Sequence, residues 1–137
     1  MTYNLKLTNS FSRKKELFKP LNSKKITMYA CGPTVYDNPH VGNARTLVVF
    51  DILFRLLKKI YKEVNYVRNI TDVDDKIIEA AKKNNKSINE ITEIFTKTFH
   101  KDCKSLNCEL PTKEPKATDH INEMISMTKS LIEKKFA

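Results

Sequence analysis

Lys25-Ile-Thr-Met-Tyr-Ala-Cys31, Gly32-Pro-Thr-Val-Tyr-Asp37 and Asn38-Pro39-His40-Val-Gly42-Asn43-Ala-Arg45 run together in the chain, and their reading decides the fold. The first run is short and rich in apolar and β-branched residues, which predicts a strand. Gly32-Pro33 ends it. Asn38-Pro39 delays the next helix, because the residue before a proline is pushed out of the α region. From about Gly42 to Lys62, Val48, Val49, Phe50, Ile52, Leu53, Leu56, Leu57 and Ile60 wrap much of a helical circumference. Such a helix is expected to be buried on more than one side. Val64-Asn-Tyr-Val-Arg-Asn69 then predicts a second strand. Strand, long helix and strand make a right-handed βαβ unit with a parallel pair.

Outside this unit the pattern is helical on one side and ragged on the other. Leu5 to Leu21 carries turn chemistry at Thr8-Asn9-Ser10 and a stop at Pro20, which predicts an irregular opening segment. Thr71 to Asn84 predicts a helix whose first turn is acidic, where the helix dipole favours negative charge. Ser87-Ile-Asn-Glu90 is a capping box, followed by Ile88, Ile91, Phe95, Phe99 and Leu106 at helical spacing. Pro111 to Pro115 predicts a connector, and Thr118 to Lys134 a last helix carrying Ile121, Met124, Ile125, Leu131 and Ile132. There is no internal repeat and no low-complexity tract.

The 137 residues suffice for one domain with a real core. No apolar run approaches the roughly 18 residues of a membrane span. Met1-Thr-Tyr-Asn-Leu-Lys-Leu7 lacks the charged-then-apolar layout of a signal peptide, which makes a cytoplasmic chain the expectation. Twenty-five Lys and Arg against sixteen Asp and Glu give a net charge of +9. That surplus fits a polyanionic partner, and equally a Lys-rich compositional habit. Three cysteines argue against a disulfide framework, and no second Cys or His pair stands at zinc-finger spacing. Cys103, on a helix face, is read as a small core residue.

Chemistry concentrates where the first strand meets the first helix. The crevice beyond the strand ends is where doubly wound sheets bind ligands. Cys31 stands there as a nucleophile, a metal ligand or an inert buried thiol, with His40 the one nearby base in sequence. His40-Val-Gly42-Asn43 offers an imidazole at a helix start, suited to an anion. The same four residues also read as a His cap with Gly easing the turn. Thr71 reads as a helix N-cap, and Asp72, Asp74 and Asp75 as first-turn and capping groups. Thr34 and Tyr36 read as loop-shaping residues, and His100 and His120 as surface or packing residues.

Taken together, the motifs are specific. Cys31-Gly-Pro-Thr-Val-Tyr-Asp37, His40-Val-Gly-Asn-Ala-Arg45 and Tyr66-Val-Arg-Asn-Ile-Thr-Asp-Val-Asp-Asp-Lys-Ile-Ile78 closely resemble the N-terminal part of the cysteinyl-tRNA synthetases. Leu7-Thr-Asn-Ser-Phe-Ser-Arg-Lys-Lys-Glu-Leu-Phe-Lys-Pro20 and Pro115-Lys-Ala-Thr-Asp-His-Ile121 extend the resemblance over nearly the whole chain. The resemblance implies an α/β, Rossmann-like class I synthetase core, with residues 1–137 its first half and trailing helices. It implies a cysteine–tRNA ligase that activates L-cysteine with ATP and Mg2+ to cysteinyl-AMP and transfers it to tRNA(Cys). His40 and Asn43 fall on catalytic positions, and His40, Gly42 and Asn43 on ATP-binding positions. Gly32 and Thr71 fall on positions that contact cysteine, and Cys31 on the first of four Zn2+ ligands.

The resemblance also implies parts that residues 84–137 do not replace. These are a Cys, a His and a Glu that complete the zinc site, a Lys-x-Ser-Lys-type phosphate loop, and a helical domain that reads the anticodon. The expectation is therefore of an incomplete catalytic domain, inactive alone, with a sheet edge and apolar helix faces uncovered. Two rival readings stand beside it: a ligase joining cysteine to an amino-sugar, and a non-catalytic RNA-binding module.

Overall fold

A computed structural model describes residues 4–137, so the first three residues of the stretch read for a signal peptide lie outside the described residues. The opening segment is ordered, against the expectation of irregular chain. β1 (Lys6–Asn9) and β2 (Lys14–Leu17) form an antiparallel hairpin, with Lys6 opposite Leu17 and Asn9 opposite Lys14. Arg13 turns the chain at a left-handed φ of 56°. The Glu16 carboxylate then accepts from the Asn9 amide and the Ser12 hydroxyl. Both strands are largely exposed, so no buried face imposes the alternation by which a strand is recognised.

The βαβ unit is present. β3 (Lys25–Ala30) and β4 (Glu63–Arg68) are parallel, with Lys25 opposite Glu63 and Ala30 opposite Arg68, and α1 (Val41–Ile60) crosses between them. Ala30, Phe54 and Tyr66 form the heart of the packing, with Met28, Phe50 and Val64 against them. The Pro111–Pro115 connector does more than connect. Lys113 N–H donates to Tyr66 O at 3.2 Å, Arg68 N–H to Lys113 O at 3.1 Å, and Ile70 N–H to Pro115 O at 2.9 Å. Bridged in parallel to β4 in this way, the segment closes that strand's outer edge.

Two helical expectations need correction. α1 buries one stripe, Leu47, Asp51, Phe54 and Leu57, while Val49 and Ile52 stay 55% and 61% exposed. Among the described residues, then, it is covered on one side. α2 runs Asp75–Asn84 with Asp74 as its N-cap, so Thr71 is not a cap and Asp72 is not in a first turn. Residues 69–72 stay extended because backbone bonds hold them there: Thr71 N–H donates to Pro33 O at 3.0 Å, and Val35 N–H to Thr71 O at 3.2 Å. Asp72 is buried and accepts from the Thr118 N–H at 3.0 Å and its hydroxyl at 2.6 Å, a link to the last segment.

α3 (Ile88–Ser105) begins as its sequence predicts. Ser87 Oγ accepts from Glu90 N–H, and the Glu90 carboxylate accepts from Ser87 N–H. Phe99 and Cys103 of α3 join Val35, Leu47 and Ile70 in one core, and Ile91 joins Ile77 and Ala81 of α2 in another. The last stretch divides into a 3-10 turn, Thr118–His120, and α4 (Ile121–Glu133), which buries none of its residues.

Candidate active site

The end of β3 and the start of α1 meet over one crevice. A cavity of about 170 Å³ opens there, with Cys31, Gly32, Asn43, Thr46, Arg68 and Phe99 among its walls. Leu47, Phe50 and Phe99 give it apolar lining, and Asn43, Thr46 and Arg68 polar groups.

His40 is the N-cap of α1, in extended backbone at φ −107°. Its Nδ1 accepts from the Gly42 N–H at 3.0 Å, and the Asn43 Oδ1 accepts from the His40 N–H at 3.0 Å. A backbone N–H can only donate, so Nδ1 is the acceptor and the neutral ring carries its hydrogen on Nε2. Gly42 is the residue that lets this cap form. A Cβ there would lie 2.7 Å from His40 Cε1 and 2.9 Å from Nδ1. The first turn of α1 holds no acidic residue, leaving the positive helix end for an anion.

Gly32 is pinned more tightly. A Cβ would fall 1.6 Å from the Asn69 carbonyl oxygen and 2.8 Å from its carbon. Gly32 N–H donates to Asn69 Oδ1 at 2.9 Å, Tyr29 Oη donates to the same oxygen at 3.0 Å, and Asn69 Nδ2 donates to Thr71 Oγ1 at 3.0 Å. The structure thus brings Gly32 and Thr71 together through Asn69, a residue sequence reasoning had not singled out. Thr34 bridges Thr71, and Tyr36 packs on the α2–α3 core with the Lys76 ammonium 5.4 Å from its ring, so both shape the loop.

Arg68 was missed as well. It is 3% exposed, with Nε and Nη2 donating to Glu114 Oε1 at 3.0 and 2.6 Å and its guanidinium 4.8 Å over the Phe99 ring. Burial works against its charge, but Glu114 outweighs it and raises the pKa. His100 Nε2 meets the other Glu114 oxygen at 2.5 Å, a polar tie rather than the surface or packing role expected. His120 is exposed. The available sequence signal for Arg68 was a cation at the end of a strand that alternates Val64, Tyr66 and Arg68 on one face, a position where burial calls for a carboxylate partner.

Of the thiols, Cys103 is buried and pushed up to about 11 by burial, as befits a core residue. Cys31 is free and exposed at the strand end. Among the described residues no group of three or more His, Cys, Asp or Glu could hold a metal ion. Cys31 can supply one soft donor; these residues do not make a four-ligand zinc site. Among the described residues no helix is long and apolar enough to cross a membrane.

Residues 17–137 match the family model described as the catalytic domain of class I (C) tRNA synthetases. The cysteine–tRNA ligase of Pelagibacter ubique (strain HTCC1062) is 58% identical over 139 residues, covering 100% of this chain and 31% of its own. That of Wolbachia pipientis subsp. Culex pipiens (strain wPip) is 55% identical, over 94% of this chain and 28% of its own. That of Paramagnetospirillum magneticum (strain ATCC 700264 / AMB-1) is also 55% identical, over 97% of this chain and 29% of its own. The chain spans 28–31% of the length of these curated relatives.

Proposed function

Because the chain belongs to the family of class I (C) tRNA synthetase catalytic domains, we propose that it forms the first part of the catalytic domain of a cysteine–tRNA ligase with a Rossmann-like core. The proposed reaction joins L-cysteine to tRNA(Cys) at the expense of ATP. A cysteine carboxylate oxygen attacks the α-phosphorus of Mg2+-bound ATP and pyrophosphate leaves. A terminal ribose hydroxyl of the tRNA then attacks the cysteinyl-AMP carbonyl, and AMP leaves.

The reciprocal cap at the head of α1 carries this reading. By taking the Gly42 N–H on Nδ1, His40 keeps Nε2–H as a donor beside a positive helix end. Phosphate oxygens gaining charge in a transition state are stabilised by such a fixed donor. Asn43 holds the His40 backbone, and Gly42 leaves the ring its place. In the same reading Gly32 and Thr71 contact the amino acid at the end of β3. Zn2+ is the ion the resemblance assigns to Cys31, and Cys31 is proposed only as one of its donors. The described residues do not close that site.

Residues 1–137 on their own are proposed to be inactive, since they offer one metal donor and one phosphate-facing element. The working enzyme is placed in the cytoplasm. The test is charging of tRNA(Cys) with labelled cysteine by the protein expressed from its complete reading frame. Cysteinyl-tRNA is the expected product; transfer of cysteine to an amino-sugar, or RNA binding without charging, overturns the reading. Activity from residues 1–137 alone overturns the claim of incompleteness.

A further inference from the structure

We propose that Asn69 is a positioning residue that sets the Thr71 hydroxyl to donate its hydrogen to an anionic acceptor of the bound amino acid. This rests on the reading that Gly32 and Thr71 line the amino-acid site. Gly32 N–H can only donate, and it points at Asn69 Oδ1 from 2.9 Å, which fixes the orientation of the amide. Tyr29 Oη, 3.0 Å from the same oxygen, donates as well. The NH2 end therefore faces Thr71 Oγ1 at 3.0 Å and can only donate to it.

Consequently one Thr71 lone pair is taken and its hydrogen cannot go to Asn69. Among the described residues the hydroxyl has no other partner. Thr71 cannot drift from this arrangement, because its N–H and C=O are bonded to Pro33 and Val35. Gly32 is held within van der Waals contact of the Asn69 backbone, so the loop bearing Cys31 shares the same anchor. The acceptor that this donor suits is an oxygen of the carboxylate or the sulfur of a thiolate.

Asn69→Asp separates positioning from mere support. It keeps an oxygen for Gly32 and Tyr29 but puts a second oxygen opposite Thr71, whose hydroxyl then donates to Asp and turns away from the ligand. In cysteine-dependent ATP–pyrophosphate exchange by the protein from its complete reading frame, the KM for L-cysteine should rise about tenfold or more, the range for losing one hydrogen bond to a charged acceptor. The KM for ATP should hold within about twofold, a change well below the loss of one hydrogen bond. Thr71→Val should raise the cysteine KM alike, Thr71→Ser should restore it, and Asn69→Asp with Thr71→Val should be no worse than either alone. An unchanged cysteine KM in Asn69→Asp, an equal rise in both KM values, or additive effects in the pair overturns the inference while leaving the functional reading standing. Absence of exchange in the unaltered protein overturns both. Should Asn69→Asp fail to fold, the Thr71 pair decides: equal cysteine KM for Val and Ser overturns the proposal.

Discussion

Replacing Gly32 by Ala tests the geometry on which the site depends. The added Cβ would sit 1.6 Å from the Asn69 carbonyl oxygen and 2.8 Å from its carbon. Both are backbone atoms of a segment tied on either side, by Tyr66, Arg68 and Ile70 to residues 112–117 and by Thr71 to Pro33 and Val35. Neither partner can yield by rotating a side chain, so two backbone segments must separate by more than an ångström. Overpacking of this kind costs about 1–3 kcal/mol. Separation also breaks the 2.9 Å Gly32–Asn69 bond, worth about 1 kcal/mol net. The sum, about 2–4 kcal/mol, is a large share of the roughly 5–15 kcal/mol of a typical domain.

Gly42→Ala is the internal comparison. Its Cβ meets the His40 ring, which can swing aside. Losing the cap costs about 1 kcal/mol, and exchanging Gly for Ala inside a helix returns a similar amount. Urea unfolding should therefore show a much lower midpoint for Gly32→Ala and a nearly unchanged one for Gly42→Ala, at constant slope. A Gly32→Ala protein within about 0.5 kcal/mol of the unaltered one, the spread of ordinary surface substitutions, would refute the reasoning.

Asn is among the best N-cap residues, so His40→Asn should keep stability within about 0.5 kcal/mol while His40→Ala loses about 1 kcal/mol in the same melts. Both lack the Nε2 donor, and both should lower the exchange rate about 100-fold if that donor serves the phosphates. Glu114→Ala strands the buried Arg68 charge and should cost about 3–5 kcal/mol in urea unfolding. Burial raises the Cys103 thiol to about 11 from 9.0, so the folded state favours the protonated form. That contribution is fully present below about pH 9 and is lost as pH rises through about 11. The stability gap between the unaltered protein and Cys103→Ala should then shrink by about 2–3 kcal/mol across that window, read from unfolding curves at each pH.

What could be read from the chain was local in origin. The strand at Lys25, the long helix, the second strand and the Ser87–Glu90 box each announce themselves through residues a few positions apart. Two of the failures involve partners far along the chain. Thr71 reads as a cap because Thr-Asp-Val-Asp-Asp opens an amphipathic stretch. Yet bonds to Pro33 and Val35 keep it extended until Asp74, three residues later. Asp72 answers to Thr118 and Arg68 to Glu114, each 46 positions away, and no periodicity reveals such pairs. The hairpin escaped notice because it buries almost nothing. The apolar circumference of α1 pointed to more cover than the described residues supply, as the exposed Val49 and Ile52 show. Among the candidate site residues, Cys31 and His40 stood out by type and Gly32 and Thr71 through the resemblance, but the Asn69 amide that joins the last two was visible only in the fold.

ATP–pyrophosphate exchange, measured on the protein from its complete reading frame with L-cysteine present, absent or replaced by L-serine, tests the central claim most directly. Rapid exchange that requires cysteine and is not supported by serine is the predicted result. Exchange that ignores the added amino acid, or no exchange at all, would contradict the account.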